Sequence, residues 1–227
     1  SCLRREVRHF IANELYYDID IVNAHFQIAL GLCDKFNFKG NKTIKYYVEN
    51  REEILLKYSK IYNQTKSEIK TLFISILNGA RMKQTKTDEW ISAFIIECNT
   101  MSEVFKAQTD KEMFELLTKN KQLTKQKMRT FMSLILQIEE EKILKICYGM
   151  CIEKELFLPG ENKCVLCHDG CMIEKDCLQD INEFIEELNE CVFEEMGYKC
   201  GFKHKEMDEG YKIQEILDKN NIVVQDK

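Results

Sequence analysis

One proline and nine glycines punctuate 227 residues, and that scarcity excludes a many-turned all-β fold in favour of long helices. No run of about 18 apolar residues exists, so no membrane span is readable. A basic excess is missing too: the net charge is −5, which argues against simple coating of nucleic acid by phosphate attraction. It leaves room for an enzyme that gathers its basic residues on one face. No secretory leader is visible, which points to an intracellular, reducing compartment. The start at Ser1, without an initiator Met, reads as a processed or excised piece of something longer. What is present is ordinary for a soluble globular chain, 44% hydrophobic and 31% charged, with length for one large or two small domains.

Cysteine, by contrast, is plentiful. There are eleven, an odd number, and several sit inside apolar runs such as Ile146-Cys147-Tyr148 and Cys164-Val165-Leu166-Cys167. Reduced core thiols are the expected state. The alternative is zinc, because Cys164-x-x-Cys167-His168-x-x-Cys171 has ligand-like spacing. Strand geometry speaks against that set, since Cys164 and Cys167 would point to opposite faces.

The segment Leu15–Val22 is rich in β-branched and aromatic residues and reads as a strand. It leads into a helix over 23–36 with an apolar stripe at Ala24, Ile28, Ala29 and Leu32. Residues 37–50 are polar and irregular, with Gly40 breaking the pattern. A helical stretch follows over 51–155. In it Thr65-Lys66-Ser67-Glu68 forms a capping box that opens a helix running to Asn78, with Gly79 as its stop. Further helices are expected near 88–107, 110–119 and 124–150. Pro159-Gly160 marks a turn. Lys163–Ile173 reads as a hairpin turning at His168-Asp169-Gly170. A helix over 175–196 and a strand over 198–205 complete the pattern. The order predicts an α+β fold, a small antiparallel sheet split by a helical insertion. Its expected boundaries are 1–36, 37–155 and 156–227.

Two features carry candidate chemistry. Asp20 at a strand end and Asp169 at a hairpin tip lie roughly 150 residues apart and meet only if the fold pairs their strands. Two such carboxylates suit the pair of magnesium (or manganese) ions, about 3.5–4 Å apart, that promote phosphoryl transfer to a hydroxyl. Asp18, two residues before Asp20, shares its strand face and is the rival ligand. Between the acids, Lys66 and Lys70 are i,i+4 neighbours on one helix face, continued by Ile74 and Asn78. That side can hold a triphosphate while Ile69, Leu72, Phe73 and Ile76 pack inward.

The ordered set resembles a shortened family A DNA polymerase, of the bacterial DNA polymerase I type. Arg8-His9-Phe10-Ile11-Ala12 and then Asp20-Ile21-Val22-Asn23-Ala24-His25 resemble that family's R-x-F-x-A segment and motif A, D-Y-S-Q-I-E. Lys66-x3-Lys70-x7-Asn78-Gly79 resembles motif B, R-x3-K-x7-Y-G, and His168-Asp169-Gly170 resembles motif C, H-D-E. Gln137 stands where the family has a glutamine that reads the primer-template minor groove.

The resemblance implies a palm with a helical fingers insertion and template-directed nucleotidyl transfer on a DNA primer-template from deoxynucleoside triphosphates. It places the metals on Asp20, Asp169 and the backbone carbonyl of Ile21. It places the incoming nucleotide on Lys66, Lys70, Ile74, Asn78 and His25, and the primer-template against His168, Gln137 and Arg8. The pattern departs at three positions: His25 replaces the motif A Glu, Asn78 the fingers Tyr, and Gly170 the motif C Glu. The stretch from Asp20 also resembles the family B pattern D-x-x-S-L-Y-P-S. Only a short segment precedes motif A, so the family's thumb would come from another segment or subunit.

Two other readings stand beside this one: a catalytically degenerate polymerase-like scaffold or accessory subunit, and a helical interaction protein. Lys119, Lys121, Lys125, Lys127 and Arg129 put five cations into 11 residues, which suits either a duplex backbone or a solvated helix face. Trp90 is expected in the core.

Overall fold

The computed structural model describes residues 5–80, 88–158, 161–167 and 170–207, with 213, 215 and 219. Its chain divides into two compact units. Unit 1 comprises Ser1–Val22, Ile143–Glu195 and Gly201–Lys227, and unit 2 comprises Asn23–Lys142 and Met196–Cys200. The fold is α+β, with a small antiparallel sheet and many helices, as the sequence pattern implies.

In chain order the elements are α1 (Arg5–Ala12), β1 (Tyr16–Ile21), α2 (Ala24–Lys35), α3 (Lys42–Glu49), α4 (Arg51–Tyr62) and α5 (Lys66–Leu77). They continue as α6 (Glu89–Gln108), α7 (Lys111–Thr118), α8 (Thr124–Glu153), β2 (Phe157–Leu158) and β3 (Glu161–Asn162). Last come β4 (Cys164–Cys167), β5 (Gly170–Glu174), a 3₁₀ turn at Lys175–Cys177, α9 (Ile181–Met196) and β6 (Phe202–Lys205).

Unit 1 is built on a four-stranded sheet in the order β4-β5-β1-β6, all neighbours antiparallel. Alternation along β1 sorts its residues. Ile19 and Ile21 are buried with Cys171, Ile173, Cys164 and Phe202, which share their face through the registers Ile19↔Cys171, Cys164↔Ile173 and Ile21↔Phe202. The opposite face carries Asp18, Asp20, Met172, Lys203 and Lys205. There Ala12 of α1, Met172 and Met207 form a small apolar cluster against Tyr16. α9 buries Phe184, Ile185, Leu188 and Val192, and its Asn189 reaches the edge strand. The Asn189 amide donates to the Phe202 carbonyl at 3.3 Å and its oxygen accepts from the Phe202 N–H at 2.7 Å.

Unit 2 is helical, and its core is aromatic. Tyr47 of α3 lies 4.5 Å, centroid to centroid, from Phe26 of α2, 4.8 Å from Phe73 of α5 and 5.8 Å from Phe94 of α6. Trp90 joins this cluster against Phe94 at 5.4 Å and Tyr58 at 5.8 Å, a core role as its lone aromatic bulk suggested. The capping box at Thr65 forms in full: the Thr65 hydroxyl accepts from Glu68 N–H and the Glu68 carboxylate accepts from Thr65 N–H at 2.8 Å. Of the inward face expected on α5, Ile69, Phe73 and Ile76 are buried and Leu72 is half-buried. Gly79, at φ +78, ends the helix in the left-handed conformation that glycine adopts without strain.

Three local expectations change. Residues 42–49, expected to be irregular, form α3. Its start is capped from afar, by the Glu97 carboxylate of α6, which accepts from the Thr43 N–H at 2.8 Å, the Thr43 hydroxyl at 2.7 Å and the Ile44 N–H at 3.2 Å. Gly170, expected in a turn, is the first residue of β5, and the helix expected from 175 starts at Ile181 after the 3₁₀ turn. The Pro159-Gly160 turn lies outside the described residues.

Candidate functional site

The acidic residues of β1 lie on the sheet face that α1 flanks. Asp18 and Asp20 are two apart on a strand and therefore project together. β6 places Lys205 opposite Asp18 and Lys203 opposite Asp20. The Lys205 ammonium donates to Asp20 Oδ2, while Asp20 Oδ1 is buried with no hydrogen-bond partner among the described residues. Asp18 is only 9% exposed. Burial pushes its carboxyl above the usual aspartate range; the Lys205 charge pulls the other way, the Asp20 charge adds to the rise, and Arg8 and His9 of α1 oppose it. His9 is wholly buried. The result is a half-enclosed patch of two acids and four bases, Lys203, Lys205, Arg8 and His9.

β5 approaches this patch closely. Gly170 pairs with Asp20, and a Cβ at position 170 would sit 1.9 Å from the Ile19 carbonyl oxygen and 2.9 Å from Asp20 Cα. Only glycine fits there, so the residue at this position is set by strand-to-strand contact.

The expected site residues distribute as follows. Asp20, Ile21 and Arg8 all belong to unit 1, where Arg8 acts on Asp18 and Ile21 is buried on the opposite face from Asp20. His168 and Asp169 lie outside the described residues. Lys66 and Lys70 are exposed on the first turns of α5 in unit 2, and Lys66 pairs with Glu52 at 3.2 Å. Ile74 is half-buried, and Asn78 caps the end of α5 with its side-chain oxygen buried and without a partner among the described residues. His25 opens α2 with Nε2 3.7 Å from the Glu140 carboxylate. Gln137 is exposed on α8, its amide donating to the Ser133 hydroxyl at 3.2 Å.

Sequence reasoning missed Lys205. Its signal was present, in that Lys203-x-Lys205 alternates on a strand just as Asp18-x-Asp20 does. What was not legible is that the two strands pair across 185 positions.

No family model matches the chain, and no solved structure matches it. Across 225 residues it is 24% identical to a Sputnik virophage protein named "Putative helicase V13", an alignment that covers 93% of this chain and 27% of that protein. The chain therefore spans about a quarter of the length of the relative it matches.

This finding corrects the functional expectation. Template-directed nucleotidyl transfer, the class of DNA-directed DNA polymerase and the associated replication-polymerase terms are therefore set aside, because the protein that aligns with 93% of this chain is named as a putative helicase, a different enzyme class. The physical reason the motifs misled is that each is short. A strand ending in Asp, a helix face with paired lysines and an Asp-Gly step satisfy them wherever such elements recur in this order. A further sequence fact bears on the comparison. The 227 residues contain no Gly-Lys step, hence no Gly-x4-Gly-Lys-[Ser/Thr] loop of the kind that cradles ATP phosphates. Among the described residues no helix is long and apolar enough to cross a membrane.

Proposed function

We propose that this chain is a nucleic-acid-handling module of a helicase-type protein, distinct from the ATP-driven motor. The observation that carries the reading is the alignment of 93% of the chain with only 27% of a protein named as a helicase. The lack of a phosphate-cradling loop in these residues assigns ATP hydrolysis to other parts of such a protein.

The surface that best suits nucleic acid lies in unit 2, between α7 and the first turns of α8. Residues 119–129 hold Lys119, Lys121, Lys125, Lys127 and Arg129 with no acidic residue. Lys119, Lys121, Lys125 and Arg129 are exposed, whereas Lys127 pairs with Glu115 at 2.7 Å. Lys125 and Arg129 stand one turn apart on α8 and so project to one side. A cationic strip on a protein of net charge −5 concentrates phosphate attraction at one place, and its affinity falls steeply with salt. Under this reading the sheet of unit 1 has a palm-like layout, an acidic central strand between a hairpin and an edge strand, that serves as a rigid platform.

Fluorescence anisotropy with labelled single-stranded and duplex oligonucleotides over a salt series tests this. Wild-type protein is expected to bind at low salt, and the combined change K119Q/K121Q/K125Q/R129Q to weaken binding by about tenfold or more with a shallower salt slope. No binding at low salt, or a variant indistinguishable from wild type, would overturn the reading.

A further inference from the structure

Four buried cysteines converge in unit 1, and they are not the set that sequence spacing suggested. Cys147 and Cys151 are i,i+4 neighbours on one face of α8. Cys164 of β4 and Cys171 of β5 sit on the buried side of the sheet, diagonal to each other through the registers Cys164↔Ile173 and Leu166↔Cys171. All four residues are at most 1% exposed. The sulfur of Cys147 lies 3.5 Å from that of Cys171, and the sulfur of Cys151 lies 3.6 Å from that of Cys164. Sulfurs of Cys147, Cys151 and Cys171 all fall within 4.8 Å of one another. Cys164 in turn neighbours both Cys151 and Cys171.

Cys164 stands outside that close trio, beside Cys151 and Cys171, and the direct separations of 3.5 and 3.6 Å match a known geometry. Four thiolates at about 2.3 Å from a central zinc ion stand about 3.8 Å apart along the edges of the tetrahedron. Ordinary core packing of thiols offers no reason for three sulfurs to crowd together with a fourth beside them, since each buried S–H is a weak donor that packs equally well against methyl groups. Hard oxygen-seeking ions are disfavoured by an all-sulfur set, and a closed set of four protein ligands leaves no position for water.

We propose that Cys147, Cys151, Cys164 and Cys171 bind a single zinc ion with a structural role. The ion would tie the last turns of α8 to the β4–β5 hairpin, joining a helix to a sheet that otherwise meet through side-chain packing. The hydrogen bond with Cys151, aided by burial, keeps the Cys147 thiol high, up to about 12, while hydrogen bonds from Cys147, Cys164 and Cys171 favour the thiolate at Cys151. Zinc binds thiolates, so loading the site releases thiol protons and the site weakens in acid. Cys167, part of the spacing motif Cys164-x-x-Cys167, is not needed, because Cys147 and Cys151 supply the missing pair.

The test uses the whole chain purified under reducing conditions. Elemental analysis is expected to return about one zinc per chain. After removal of that zinc, titration with cobalt(II) should give the intense visible bands of tetrahedral cobalt and the near-ultraviolet charge transfer of thiolate ligands, saturating at about one equivalent. C171S and C151S should lose the cobalt spectrum, while C33S and C177S, outside the cluster, should retain it. Wild-type protein that gives no such cobalt spectrum while all four thiols titrate freely overturns the proposal without recourse to any variant. Disulfides joining these residues in reduced preparations, or iron with inorganic sulfide in place of zinc, also overturn it.

Discussion

The two units use opposite means to build a core. Unit 2 relies on ring packing, in which Phe26, Tyr47, Phe73, Phe94, Tyr58 and Trp90 form one aromatic cluster drawn from five helices. Unit 1 has few rings inside it. Its sheet is closed by aliphatic residues and four sulfurs on one face and by an acid–base patch on the other. The hydrophobic drive that buries these rings is non-directional, and their pairs accept several tilted and edge-to-face arrangements. Close strand approach, converging thiols and a buried carboxylate demand fixed positions. The helical unit is thus specified largely by volume, and the sheet unit by geometry.

The largest test of this contrast is Phe73→Ala. Phe73 is fully buried and touches Tyr47, Tyr58, Trp90 and Phe94, so the loss should be about 3–5 kcal/mol in a urea titration. A cost below about 1 kcal/mol would mean that ring packing does not hold unit 2 together. Second is Gly170→Ala, which adds one methyl where the Ile19 carbonyl oxygen already stands 1.9 Å away. A cost of about 1–3 kcal/mol is expected, with hydrogen exchange accelerating along β1 and β5 more than in α3–α6. Uniform acceleration would remove the distinction between the units.

The smallest effect concerns pH. Asp18 has its carboxyl raised above the ordinary value, chiefly by burial. Between its unfolded and folded pKa the native state holds the extra proton, so stability falls as pH rises through that window. Asp18→Asn should flatten the slope there and leave the dependence above the window unchanged, as measured by melting temperature across a pH series. An unaltered slope would show that Asp18 titrates normally.

Much of the fold was legible because it is local. β1 announced itself through its β-branched and aromatic residues, α2 through Ala24, Ile28, Ala29 and Leu32, all buried as its stripe required, and α5 through a capping box that closes within four residues. The rest depended on distance in the chain. α3 needs Glu97, 54 residues from Thr43, to hold its first amides. The Asp20–Lys205 pair spans 185 positions. The sulfur cluster draws two members from a helix and two from a hairpin, whereas the legible spacing Cys164-x-x-Cys167-His168-x-x-Cys171 pointed to a different set. Motif order misdirected the functional reading for the same reason: it recorded which residues occur, and the chemistry depends on which residues meet.

β6 is an outer strand of the sheet, and Asn189 occupies both the N–H and the carbonyl of Phe202 on it. A primary amide presents a donor and an acceptor side by side, the same pair that a neighbouring peptide would offer. Asn189 thus acts as a one-residue substitute for a further strand and denies that rung of the ladder to any passing chain. The borrowed amide leaves one fewer open rung on that edge for strand addition.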